Sequence, residues 1–133
     1  MAAHLSLELA RRGWRVVVAS LYDGDTPISR ELEAAGVCVR HLGKRAGLDL
    51  SMVPKLRALV AAERPACVHS HLYASQYTFA ARAATAVPEV HTVHNMARNE
   101  VPRRLQTLQR AAFSRGYCTP VAICPSVRDS IRS

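Results

Sequence analysis

Two hydrophobic rhythms take turns along this chain, and their order leaves few folds open. Leu5, Leu7, Leu9 and Ala10 recur at helical spacing within residues 2–12, and Gly13 follows as a C-terminal stop. The β-branched run RVVVASLY (15–22) then predicts a strand buried on both faces. Thr26-Pro27 opens a second helix, with the threonine as N-cap and the proline where its missing N–H costs nothing. Gly36 stops it, and VCVRHL (37–42) predicts the second strand. The pattern continues with a helix over 51–63, a strand over 66–71, an alanine-rich helix over 74–86 and a strand over 89–94. A basic helix over 100–114 carries Val101, Leu105, Leu108 and Ala112 on one stripe. A strand over 118–124 and a helix beginning at 126 complete the series. Strict alternation of helices with short apolar strands predicts an α/β fold: a Rossmann-like, three-layer parallel sheet with helices on both faces, in one domain spanning 1–133. Such a sheet usually begins with a strand, whereas this chain begins with a helix and ends as one starts. The expectation is therefore a partial domain, cut at both ends and lacking its first strand.

Composition excludes several classes. With 49% hydrophobic and 21% charged residues the chain is neither disordered nor collagen-like, and no apolar run approaches the roughly 20 residues that span a bilayer. Glu8 interrupts the first apolar stretch and no basic leader precedes it, so a secretory signal is not expected. Four cysteines, at 38, 67, 118 and 124, form no C-x-x-C pair; buried free thiols in a reducing cytoplasm are expected. The net charge of +8 comes mostly from sixteen arginines and favours phosphorylated ligands or anionic lipid head groups. Residues 98–115 hold five arginines against Glu100, with Phe113 as the one aromatic among them, too few for base stacking, so nucleic acid is not an expected partner.

Ligands of open α/β sheets bind at the carboxyl ends of the strands. Here those ends read Tyr22-Asp23-Gly24, Gly43-Lys44-Arg45, His71-Leu72-Tyr73, His94-Asn95-Met96 and Cys124-Pro125-Ser126. The set is rich in donors and suits a polar, phosphate-bearing ligand. His69 and His71 share a strand face, whereas His91 and His94 fall on opposite faces, so a four-histidine metal site is awkward and no metal is expected. His69 and His91 read as hydrogen-bonded strand residues, and His71 and His94 as ligand-facing. No G-x-S-x-G, G-x-G-x-x-G or Walker loop is present.

Several stretches in order, LELARRGWRVVVASLY, ELEAAGVCVRHL, ERPACVHSHLYAS, VPEVHTVHN and VAICPSVRDSI, are together similar to the N-terminal, acceptor-binding domain of family 4 retaining glycosyltransferases of GT-B architecture. The resemblance implies the acceptor half of an enzyme that moves a sugar from a nucleotide-sugar, a substrate rather than a cofactor, to a cell-envelope glycan or glycolipid. It implies no metal or other cofactor. The donor site would belong to a C-terminal domain absent from this chain, so the chain alone is expected to be inactive. The implied setting is cytoplasmic, peripheral at the inner face of the plasma membrane. By position His94 resembles the catalytic histidine near the transferred sugar. Asn95, Lys44, Arg45, His71, Tyr73, Arg103 and Arg104 resemble contacts to a sugar or a phosphorylated or lipid-linked acceptor. His94, Asn95, Lys44 and Arg45 are expected to line one cleft. Cys124 stands where many members carry serine. The alternative is a non-catalytic α/β module that binds an anionic ligand or a partner subunit.

Overall fold

The computed structural model describes residues 1–82, 86–96, 99 and 101–132. Its elements alternate as the sequence predicts: α1 (Ala2–Arg11), β1 (Val17–Ser20), α2 (Pro27–Ala34), β2 (Cys38–His41), α3 (Met52–Glu63), β3 (Val68–His71), a 3-10 turn (Leu72–Ala74), α4 (Ser75–Arg82), β4 (Glu89–Val93), α5 (Arg103–Ser114), β5 (Cys118–Ala122) and α6 (Pro125–Arg132). Every strand pairing is parallel, so the chain is an α/β protein of Rossmann-like character. The strands form two sheets, not one. The chain divides into two compact units, Met1–Met52 and Val53–Ser133.

In the first unit β1 pairs with β2 in the register Val17↔Cys38 to Ser20↔His41. The core is Leu7, Leu32 and Val37, flanked by Ala3, Ala10, Val16, Val18 and Val39. Local signals set the helix ends. Thr26 accepts from the Ser29 amide at 3.1 Å while Ser29 Oγ accepts from the Thr26 amide at 2.8 Å, a reciprocal cap with Pro27 opening the helix. Gly13 and Gly36 take φ of +84° and +82°, a region that costs L side chains strain. Each lets the next amide reach back into its helix: Trp14 N to Leu9 O and Val37 N to Leu32 O, both 3.0 Å.

The second unit holds β3-β4-β5 with β4 in the centre. The registers Val68↔Glu89 and Glu89↔Cys118 align the three strand starts. Its fully buried side chains include Tyr77, His91, Val93 and Cys118.

Several expectations are corrected. The strand expected over 15–22 shrinks to Val17–Ser20, and its residues are half-buried or exposed, because a two-stranded sheet leaves each strand an open edge. Among the described residues, β1 pairs with β2 and β3 with β4, each across one intervening helix, and the two pairings fall in separate sheets rather than the single sheet expected. Val101 and Ala112 are buried as the stripe predicts, but on α5 Leu108 is exposed and Gln109 is buried in its place. The cysteines are free, but only Cys118 is buried. Cys67 and Cys124 lie just outside the strand ends and are exposed. Residues 83–85 of the expected alanine-rich helix, together with Arg98 and Glu100 of the basic stretch, lie outside the described residues.

Candidate functional site

Side chains alternate across β3 and β4, and the alternation sorts their polar residues into two sets. On one side Ser70, Glu89 and His91 are all buried. Ser70 Oγ donates to Glu89 Oε1 at 2.8 Å and stands 2.9 Å from His91 Nδ1. A hydroxyl has one hydrogen; with that hydrogen on Glu89, the His91 nitrogen is the donor of the second bond. Thr78 of α4 donates to the same Glu89 oxygen. The His91 ring is flanked by Phe79 from α4 and Phe113 from α5, at centroid distances of 6.4 and 6.2 Å. This set welds the sheet to its helices.

On the other side stand His69, His71, Thr92 and, just past the end of β4, His94. His69 Nε2 lies 2.7 Å from Thr92 Oγ1. Its ring stacks on that of His71, with centroids 4.3 Å apart and planes 27° apart. His71 Nδ1 in turn meets His94 Nε2 at 3.2 Å. Partial burial, then the neighbouring imidazoles of His69, His94 and His91, press the His71 pKa down to about 4, so its ring is neutral at pH 7. Partial desolvation, then His91 and His94, lower that of His69 as well. Leu72 follows at φ +51°, strained for a leucine, and turns the chain out of β3 so that Tyr73 projects 62% exposed. Asn95 is exposed beside half-buried His94, and Arg103 and Arg104 are exposed in the first turn of α5.

The first unit has its own strand-end site. An open cleft of about 360 Å³ is lined by Ser20, Tyr22, Asp23, Thr26 and His41 over a floor of Val18 and Val39. His41 Nδ1 stands 3.1 Å from Tyr22 O, and Ser20 Oγ donates to the same carbonyl at 2.9 Å. Lys44 Nζ lies 5.3 Å from the centre of the Tyr22 ring, a cation–π contact, and donates to the carbonyls of Arg45 and Gly47. Arg45 donates its amide to Asp49 at 2.9 Å and reaches the same carboxylate with its guanidinium at 3.4 Å, yet its side chain stays 81% exposed. Asp49 is buried. The Arg45 amide, then the Ser51 hydroxyl, hold its carboxyl well below the usual carboxylate range.

Thus, within the second unit, the sequence-predicted His71 and His94 are brought into direct contact. Tyr73, Asn95, Arg103 and Arg104 stay on its surface. Lys44 and Arg45 belong to the first unit, where both also close the loop before α3. Sequence reading passed over Glu89 and Ser70, although two-residue periodicity puts Glu89 and His91 on one face opposite Ser70. It also passed over Asp49, for which residue type and loop position gave no signal. Among the described residues, no group of three or more His, Cys, Asp or Glu side chains is arranged to hold a metal ion. Nor is any helix there long and apolar enough to cross a membrane.

The family description Glycosyltransferase Family 4 matches residues 1–133, both units in one match, and the chain belongs to that family. No curated protein and no solved structure gives a significant match.

Proposed function

From membership of glycosyltransferase family 4, we propose that this chain is the acceptor-binding half of a retaining, GT-B-type transferase. It would move a sugar from a nucleotide-sugar to a cell-envelope glycan or glycolipid at the cytoplasmic membrane face. The observation that carries the reading is the position of His94. It stands immediately past the carboxyl end of the central strand, where ligands of α/β sheets sit, with its ring held by His71 rather than packed into the core. A histidine there is suited to stabilise the charge that develops as a nucleotide diphosphate departs. The acceptor sugar would be taken by the cleft of the first unit, whose Tyr22 ring offers an apolar face and whose Asp23 and His41 offer hydrogen-bonding partners. The exposed guanidinium of Arg45, with Lys44 beside it, suits an acceptor phosphate. On the second unit Tyr73, Asn95, Arg103 and Arg104, all exposed, suit contacts to a sugar or to an anionic lipid surface.

Transfer needs donor and acceptor held together, and the donor's binding energy would come from a second domain. The pure 133-residue chain is therefore expected to show no transfer from UDP-glucose or GDP-mannose, while mass spectrometry of the chain purified from cells should find bound phosphorylated or lipid-linked glycans. Turnover by the chain alone would overturn the division of labour. Bound nucleotide-sugar in place of a glycan acceptor would overturn the acceptor assignment.

A further inference from the structure

The contact between His71 and His94 has an informative shape. The nitrogens are 3.2 Å apart and the ring centroids 5.5 Å. The difference is about twice the distance from an imidazole centre to its own nitrogen, so both nitrogens lie on the line joining the two rings. Lone pairs that meet head-on have two uses. A metal ion on that line would need the nitrogens roughly 4 Å apart, given metal–nitrogen bonds of about 2.0–2.1 Å, and an ion off the line would not lie where either lone pair points. The observed separation is too short for that and falls within the span of an N–H···N hydrogen bond. One nitrogen therefore carries a hydrogen and the other does not.

We propose that His71 is a positioning residue for His94: the two rings share one proton along the Nδ1–Nε2 line, which fixes the orientation of the His94 imidazole and limits the pair to a single positive charge. The role of His94 that this serves rests on the reading given under Proposed function; the pairing itself does not. Three observations support it. The β3–β4 register sets His71 beside Thr92, two residues before His94 and on the same side, so the strands deliver both rings to one spot. His69, stacked on the face of the His71 ring and bonded to Thr92, hinders rotation of that ring away from His94. The low pKa of His71 keeps that ring neutral beside its partner. Two protonated rings at this distance would turn N–H against N–H, which bars a second charge while the contact lasts. His94 would thus reach a bound diphosphate in one orientation, an arrangement made before the ligand arrives.

Nitrogen NMR on the full 133-residue chain, labelled with 15N at histidine, tests this without turnover. Wild type is expected to give a through-hydrogen-bond coupling between His71 Nδ1 and His94 Nε2, with one nitrogen protonated and the other bare. His71→Phe keeps a ring and removes the nitrogen. The coupling is then lost and the His94 nitrogen shifts move away from their wild-type values. His71→Asn, which returns a polar atom near the Nδ1 position, should restore a single His94 tautomer. A well-dispersed wild-type spectrum with no coupling, or with both nitrogens protonated, overturns the proposal. So does His71→Phe with unchanged His94 nitrogens. The wild-type readout stands even where a variant fails to fold. Turnover of His94→Ala in the enzyme with its donor-binding half tests the other reading separately. Unchanged turnover there would remove the role of His94 and leave the proton-sharing pair intact.

Discussion

The two sheets invert what hydropathy alone would predict. β1 reads Val-Val-Ala-Ser, yet its residues are half-buried or exposed. β4 reads Glu-Val-His-Thr-Val and is buried at all but one position. The difference lies in neighbours. β4 is hydrogen-bonded on both edges and covered by aromatic side chains from α4 and α5, whereas β1 has a partner on one edge only. A polar strand tolerates the centre because its polar groups answer one another: Glu89, Ser70, Thr78 and His91 form one bonded set. Place in the sheet, rather than the apolarity of the strand, decides burial here.

If that comparison holds, the deepest losses belong to the second unit. Tyr77 is its largest fully buried side chain. Tyr77→Ala is expected to cost about 3–5 kcal/mol, the range for emptying a buried aromatic site. Urea denaturation would measure it, and a cost below about 1.5 kcal/mol would mean that this core is not closely packed. In the first unit Leu32→Ala removes one of three buried core residues. The expected cost is about 2 kcal/mol, the low end for such truncations, because a shallow core collapses into the space. Hydrogen exchange should register that loss at Val17–Ser20 and Cys38–His41.

A serine pair sharpens the comparison further. Ser70 and Ser20 each stand near the carboxyl end of a strand, β3 and β1 respectively. Ser70→Ala withdraws a buried hydroxyl that serves Glu89 and His91, at a cost of about 1–3 kcal/mol. Ser20 bonds an exposed carbonyl, and Ser20→Ala should stay within about 0.5 kcal/mol. Equal costs would mean that the polar set under β4 contributes nothing particular.

The same contrast explains what the sequence disclosed. The order of elements was legible because periodicity and caps are local: Thr26-Pro27, Gly13 and Gly36 act where they stand. The division into two sheets was not legible, since it depends on which strands meet. The burial of Gln109 in place of Leu108 is a choice between 108 and 109, both of which fit helical spacing with Leu105 and Ala112, and apolarity favoured the wrong one. At the candidate site, the strand-end rule found His71 and His94 as separate ligand-facing residues. Their contact depends on the β3–β4 register and on His94 leaving the strand, neither of which is encoded in spacing alone.

Acid should separate the units with the smallest of these effects, because the histidines concerned are partly solvated. His69 and His71, both in the second unit, have folded pKa values below the ordinary histidine value of about 6.5. The unfolded chain therefore binds more protons than the folded one as pH falls, and their contribution is full above about pH 6.5. It drains away as pH falls toward the folded value of His71, about 4. In the first unit the depressed group is Asp49, whose contribution is full above the ordinary carboxylate value of about 3.9 and is lost only below it. Exchange protection, corrected for the intrinsic pH dependence of amide exchange, should thus decline at Val68–His71 and Glu89–Val93 between pH 6.5 and 4, while at Val17–Ser20 and Cys38–His41 it holds until lower pH. His71→Asn should flatten the first decline and leave the second in place. Loss of protection in β1 and β2 before β3 and β4 would show that the weakly buried sheet, and not the histidine cluster, sets the acid limit of the chain.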